Sequence, residues 1–260
     1  MVTRIAASAA DREKLQSLTI DPSTQQDDFF DYSKVVIKKP WGHEYVIFKN
    51  DDVAVWVLHI KHGFQTSMHC HPNKKTSIAA LSGEAAFNTL ENEHRLRPGE
   101  GLFLDRGVFH STRAVSPDGI LVMETETPTN KKDLVRLSDS YGRSGQGYEG
   151  REHYLDFADS ELNHFHKPEE RYLREKQFGE CALTVTQHHD TEDLKATLAH
   201  IGGNIAAILS GGLLNTEKKC ILGVGDVVGV RDLKQIGEYA ILKPTEVLLV
   251  KKLHTTNYNL

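Results

Sequence analysis

His69 and His71 are one residue apart, and His110 follows 39 positions after the second of them. Successive side chains of a β-strand point to opposite faces, so on a strand this pair projects together and Cys70 points away. A third histidine from a neighbouring strand completes a facial trio of imidazoles, a donor set suited to a transition metal. Turn residues punctuate the region: Gly63 before the pair, then Gly83, then Pro98-Gly99, then Asp105-Arg106-Gly107 just before His110. Turns at that spacing leave room only for short strands. The pattern predicts a small barrel with a metal on its inner face, and hence a pocket for a small molecule.

The surrounding texture agrees. Short β-rich segments cover 35–38, 45–49, 53–61, 76–81, 85–90, 101–104 and 120–126, separated by Gly, Pro and Asn. Regular short strands of this kind predict an antiparallel sandwich or barrel. The long βα alternation of a parallel nucleotide-binding sheet is missing. The predicted organisation is an arm over 1–32, a metal-binding barrel over 33–150, a linker with a helix over 151–178, and a second β-rich block over 179–260. In the arm, residues 6–18 have helix-forming composition and Asp21-Pro22 stops them. The acidic-aromatic stretch from Asp27 to Tyr32 reads either as a docking arm or as a loose extension.

The second block echoes the first. Ile78-Ala79-Ala80-Leu81-Ser82-Gly83 resembles Ile205-Ala206-Ala207-Ile208-Leu209-Ser210-Gly211, and Pro98-Gly99-Glu100 is answered by Val224-Gly225-Asp226. The order and approximate spacing agree, which predicts a duplicated barrel. The second copy has no His-x-His pair, so its expected role is structural. His188-His189-Asp190 reads as the N-cap region of a short helix.

Charge and composition exclude several classes. The net charge is -5 with both signs interspersed, unlike a nucleic-acid or anionic-membrane surface. No apolar run is long enough to cross a bilayer, and residues 1–18 are too charged for a signal peptide. Cys70, Cys181 and Cys220 are scattered and odd in number, as expected of a reduced, cytoplasmic protein. Nucleophile signatures and phosphate-cradling glycine loops are not evident.

The spacing Gly-x5-His-x-His followed by Gly-x5-Asp-x-Gly-x2-His resembles the two motifs of the cupin superfamily. Closer still, Lys39-Pro40-Trp41-Gly42, Met68-His69-Cys70-His71, Gly107-Val108-Phe109-His110 and the run from Asp133 to Arg143 resemble the cupin of type II mannose-6-phosphate isomerases. The likeness covers about residues 38–143. It implies an all-β fold of duplicated cupin (double-stranded β-helix, jelly-roll) barrels with short N-terminal and inter-barrel helices. It also implies one divalent transition metal per chain (zinc, iron, manganese or nickel) held by His69, His71 and His110. The position of the family's ligand glutamate is Thr76 here, and Asp105 and Ala114 replace a proline and an asparagine.

Glu124 and Glu126 share a face of a predicted strand. Turned inward, they are candidate metal ligands, sugar hydrogen-bond partners or the catalytic base; turned outward, they are a solvated pair. Lys74, Lys75, Arg106 and Arg113 flank the metal motifs and form a candidate phosphate-binding set, with Thr76 beside them. Arg136, Tyr141 and Arg143 either close over the substrate or fasten the barrel end. Gln65 is a further possible ligand or a loop residue, and His59 and His62 have opposite parity, so at most one faces the pocket. The implied function is isomerisation or epimerisation of a sugar phosphate or nucleotide-linked sugar, in surface-polysaccharide or activated-sugar synthesis, by a homodimer. The alternatives are a three-histidine iron(II) dioxygenase and a non-catalytic sugar-binding cupin.

Overall fold

The computed structural model of the chain describes residues 1–18, 29–156, 162–165, 172 and 174–253. An N-terminal strap consists of β1 (Val2–Ile5) and α1 (Ala9–Ser17). The first barrel follows as β2 (Val35–Lys39), β3 (Gly42–Lys49), β4 (Ala54–Ile60), β5 (Met68–Cys70), β6 (Lys75–Ser82), β7 (Ala85–Thr89), β8 (Glu93–Leu96), β9 (Gly101–Leu104), β10 (His110–Ala114), β11 (Ile120–Thr127), β12 (Val135–Ser138) and β13 (Tyr154–Asp156). The C-terminal part contains β14 (Lys176–Phe178), β15 (Cys181–His188), α2 (Thr191–His200), β16 (Ile205–Leu214), β17 (Cys220–Gly223), β18 (Val227–Gly229), α3 (Val230–Gln235) and β19 (Ala240–Lys252).

Two sheets, ordered β1-β9-β6-β11-β4-β3-β2-β13 and β12-β5-β10-β7-β8, form the first barrel. Strand alternation sorts their side chains. Trp56, Leu58, Ile78, Ala80, Leu102 and Val122 meet Phe87 and Ala114 inside the barrel. Their sequence neighbours Val55, Val57, Ala79, Leu81 and Met123 face outward onto a third sheet. That sheet, ordered β14-β15-β19-β16-β17 with β18 also on β16, presents Leu183, Val185, Leu209, Leu248 and Val250 in return. The larger sheet is thus covered on both sides, and β4 reads as an almost continuous apolar run because neither face meets water. Each fully buried large aliphatic side chain contributes about 1.5–3 kcal/mol.

The duplication is visible in backbone geometry. The order β9-β6-β11-β4-β3 is reproduced as β18-β16-β19-β15-β14. Gly83 and Gly211 hold the same left-handed turn, with φ of 70° and 71°. Ala80 N donates to Glu100 O while Gly99 N donates to Ala80 O, and Ile208, Asp226 and Gly225 repeat that reciprocal pair. What differs is the opposite wall. Where the first copy places β5 and β10, the second places α2 and α3, whose Leu194, Leu198, Val230 and Leu233 cover the outer face of the third sheet. The second copy is therefore a single sheet backed by helices. The two strands that carry histidines in the first copy are helices here, and among the described residues no group of metal-ligating side chains falls in the second copy.

The strap shows one element that sequence pattern did not predict. β1 is short and polar, and it forms by pairing in parallel with β9. Helix α1 is shorter than the predicted span and opens with a capping box between Ser8 and Asp11. From the acidic-aromatic stretch, Phe30 and Tyr32 pack on the body among Trp56, Tyr148 and Tyr154. Asp27, Asp28 and the Asp21-Pro22 stop lie outside the described residues. In the predicted linker, the described residues include a 3-10 turn (Arg151–His153) and the strands β13 and β14; residues 157–161, 166–171 and 173 lie outside the described residues. Asp190 does cap α2, accepting a hydrogen bond from Asp193 N at 2.8 Å.

Candidate metal centre

Strand parity places the imidazoles. On β5, His69 turns inward and Cys70 outward into a small apolar cluster with Phe109 and Val135. His71 follows on the inner side, and β10 lies beside β5 with His110 directly opposite His69. The ligand nitrogens of His69, His71 and His110 all lie within 4.8 Å of one another. Each ring is held from behind by a backbone carbonyl. Nδ1 of His69 bonds Ser67 O at 2.8 Å, that of His71 bonds Asp133 O at 2.6 Å, and that of His110 bonds Val108 O at 2.9 Å. A carbonyl only accepts, so each Nδ1 carries the proton and each Nε2 keeps a lone pair.

Burial, more than any neighbouring charge, holds His69 and His71 well below the usual histidine range and His110 at about 4. All three are neutral near pH 7, the form that binds metal. His71 Nε2 is buried with no hydrogen-bond partner. An orphaned lone pair aimed at two others fits a divalent cation, which would satisfy all three at once.

Glu124 adds a carboxylate. It lies on β11 with its side chain inward, and Oε1 is 3.8 Å from His71 Nε2. Burial raises its pKa, the charge on Glu126 adds to the effect, and Lys131 and Lys74 oppose it. Glu126 shares that face but is fully buried, accepting from Trp56 Nε1 at 2.8 Å and pairing with Lys74 Nζ. Glu124 lines the cavity beside the histidines, and Glu126 does not. Thr76, opposite Glu126, is buried with its hydroxyl unpartnered.

The cavity measures about 50 Å³, room for roughly four water molecules. Lys39, Lys74, Lys131, Arg136 and Arg143 stand on its wall among Glu44, Glu149 and Tyr148. The charges form one connected set. Lys39 pairs with Glu149 and, at 3.3 Å, with Glu44; Lys131 pairs with Glu44 at 3.4 Å; Arg136 pairs with Glu149 at 2.8 Å. Arg143 bridges Glu149 and Asp139, and the Tyr148 hydroxyl donates to Glu44. Lys131 Nζ also lies 3.9 Å above the Trp56 ring. Burial would push Glu44 up, but Lys131 and Lys39 outweigh it and bring it to about 2. Glu124 and Glu44 are therefore driven in opposite directions.

Three members of the predicted phosphate-binding set are elsewhere. Lys75 is one step from Lys74, and alternation sends it to the other side, where it pairs with Asp226 at 2.7 Å and ties the barrel to the third sheet. Arg106 is exposed, and Arg113 lies on the outer face near Glu93 at 3.5 Å. Gln65 bonds Ser140 at the surface, and neither His59 nor His62 lines the cavity: His59 sits beside His43 and His62 bonds Ser116 O. Tyr141 fastens the barrel end through the backbone of Gln65. Glu44, Lys131, Tyr148 and Glu149 were not predicted from sequence. Lys39 is part of the motif Lys39-Pro40-Trp41-Gly42, whose presence was the available signal for that wall.

No helix among the described residues is long and apolar enough to cross a membrane. The sequence matches no family profile and no curated protein. Solved structures that resemble the chain include KdgF from Halomonas sp., at 19% identity over 35% of this chain and 81% of that one, with a TM-score of 0.33. The capsular polysaccharide assembling protein CapF from Staphylococcus aureus is 17% identical over 43% of this chain and 33% of its own, with a TM-score of 0.37. An RmlC-like cupin from Shewanella frigidimarina is 19% identical over 41% of this chain and 96% of its own, with a TM-score of 0.34.

Proposed function

We propose that the chain is a metal-dependent isomerase or epimerase of a small sugar phosphate. The reading rests on the convergence of three Nε2 lone pairs with the Glu124 carboxylate at the wall of a narrow, cation-rich cavity. The motif likeness of residues 38–143 to isomerase cupins supports the sugar class. Aldose–ketose interconversion removes a proton next to a carbonyl and returns it to the adjacent carbon. His69, His71 and His110 would hold a divalent cation, which would supply Lewis acidity to a bound carbonyl substrate. Glu124 takes the proton on its carboxylate and delivers it to the neighbouring carbon, and its raised pKa suits that exchange near neutral pH. Lys131 offsets the negative charge that develops on the substrate oxygens, while Lys74 is committed to Glu126. Arg136 and Arg143 carry the planar forks that match a phosphate.

A cavity of about 50 Å³ admits only the reacting end of a sugar, with its phosphate or nucleotide at the mouth. A carboxylate 3.8 Å from His71 Nε2 weighs against the three-histidine dioxygenase, which uses none. A homodimer is retained as part of the proposal. The outer apolar face of the eight-stranded sheet is already covered by the third sheet, so a second copy has to dock elsewhere; sedimentation measures it.

The test is elemental analysis of the purified protein and of His71→Ala and His110→Ala, followed by turnover on a panel of aldose and ketose phosphates. One metal per chain, lost in both variants, and interconversion of some panel member are expected. Full metal in the variants overturns the site. Metal without turnover leaves only sugar binding, and substrate-dependent oxygen uptake with bound iron would establish the oxygenase.

A further inference from the structure

The carbonyls behind the histidines are not equivalent. The peptide group joining Val108 to Phe109 accepts a hydrogen bond from His110 Nδ1 on its oxygen at 2.9 Å. The same group donates from Phe109 N to Asp11 Oδ1, also at 2.9 Å. A carboxylate, one peptide unit and an imidazole are thus connected in series. Behind His71, the corresponding peptide joins Asp133 to Leu134, and its N–H ends on the neutral carbonyl of Lys132 at 2.8 Å.

We infer that Asp11 is a positioning residue for His110, and that the N-terminal strap tunes the metal centre from outside the barrel. The inference rests on the metal-binding reading of the three histidines. A negative charge on the N–H side polarises the peptide and strengthens its oxygen as an acceptor. A stronger bond to Nδ1–H fixes the ring and raises the basicity of Nε2, as the carboxylate behind a ligand histidine does directly.

The rest of the strap keeps Asp11 in place. Asp11 is 3% exposed, and its second oxygen accepts from Ser8 N at 2.8 Å and Ser8 Oγ at 3.0 Å, so the carboxylate cannot swing away without losing its cap. Arg4 forks onto Asp105, and Leu15 and Leu18 pack behind Cys70, Phe109 and Val135. The strap therefore abuts the backs of both histidine-bearing strands, yet touches the centre through one carboxylate.

The experiment compares Asp11→Asn, Asp11→Ala, Leu18→Ala and Leu15→Ala in the full chain. Zinc affinity is measured by chelator competition, stability by thermal midpoint, and His110 by its imidazole 15N shifts in the metal-free protein. Removing the carboxylate is expected to weaken zinc binding about tenfold, the lower end for an outer partner of a ligand, and to move the His110 shifts while those of His71 stay. Leu18→Ala and Leu15→Ala loosen the strap but keep the carboxylate and its Ser8 cap, so they should lower the midpoint with less than a threefold effect on zinc. Equal weakening by all four variants, or none by the Asp11 variants, overturns the inference. Zinc failing to bind the unaltered protein overturns the metal reading instead, and the 15N shifts still report whether the relay operates.

Discussion

Glu124 Oε1 lies 3.8 Å from His71 Nε2, while the buried Thr76 hydroxyl has no hydrogen-bond partner. Thr76 is on β6 and Glu124 on the adjacent β11, so the carboxylate reaches the histidines from the next strand. Glu124→Gln keeps the shape and removes the base. Turnover should fall by about 10²–10⁴, with metal content unchanged. Loss of the metal together with turnover would show that Glu124 acts first as a ligand.

Glu44 supplies a pH signature. Its carboxyl is held at about 2, below the ordinary value of 4.5. A depressed carboxylate stabilises the fold fully above the unfolded pKa, and that contribution is lost as pH falls from about 4.5 toward 2. The shift corresponds to roughly 3 kcal/mol, shared with Lys39 and Lys131. Glu44→Gln leaves those two buried ammonium groups undercompensated, a change that costs about 3–5 kcal/mol near neutrality. Denaturant unfolding at several pH values should show the gap between the two proteins closing as pH falls toward 2. A gap independent of pH would mean that Glu44 is not ionised in the fold.

The legible parts of this chain were local. Strand parity alone predicts that His69 and His71 share a face while Cys70 leaves it, and the repeated Ser-Gly turn at Gly83 and Gly211 exposes the duplication. The cavity wall was less legible because its members are brought together by tertiary pairing. Lys39 and Glu149 are 110 positions apart, and Glu44 and Tyr148 are 104 apart. Lys75, Arg106 and Arg113 show the converse: adjacency to a motif in sequence says nothing about face, and one step at the start of β6 separates the cavity lysine Lys74 from Lys75, which reaches the third sheet. The polar β1 has no periodicity to betray it, since its strand form comes from its partner β9.

The second copy should bear on stability and leave the metal centre untouched. Gly211 has φ of 71°, and a Cβ there would meet Thr245 Oγ1 at 2.5 Å and Pro244 O at 2.7 Å. Gly202 has the same φ with nothing within 4 Å. Gly202→Ala therefore measures the left-handed backbone cost, about 1–2 kcal/mol, and Gly211→Ala adds the collision. Thermal melts should rank Gly211→Ala below Gly202→Ala, with zinc affinity unchanged in both. Equal midpoints would mean that the turn relaxes to admit the methyl group.

Lys74 and Glu126 are 1% and 0% exposed at their side chains and pair with each other beneath Trp56. Removing one partner strands a buried charge, at about 3–5 kcal/mol, whereas replacing both with apolar groups of similar volume is far milder. Lys74→Met and Glu126→Leu should each destabilise strongly, and the double variant should be more stable than either single one. The thermodynamic cycle then gives a coupling of several kcal/mol from denaturant unfolding. Additive effects would mean that the pair is not the unit that stabilises this corner. If Glu126 serves the fold in this way and Glu124 the chemistry, the double variant should retain a larger share of metal-dependent turnover than Glu124→Gln.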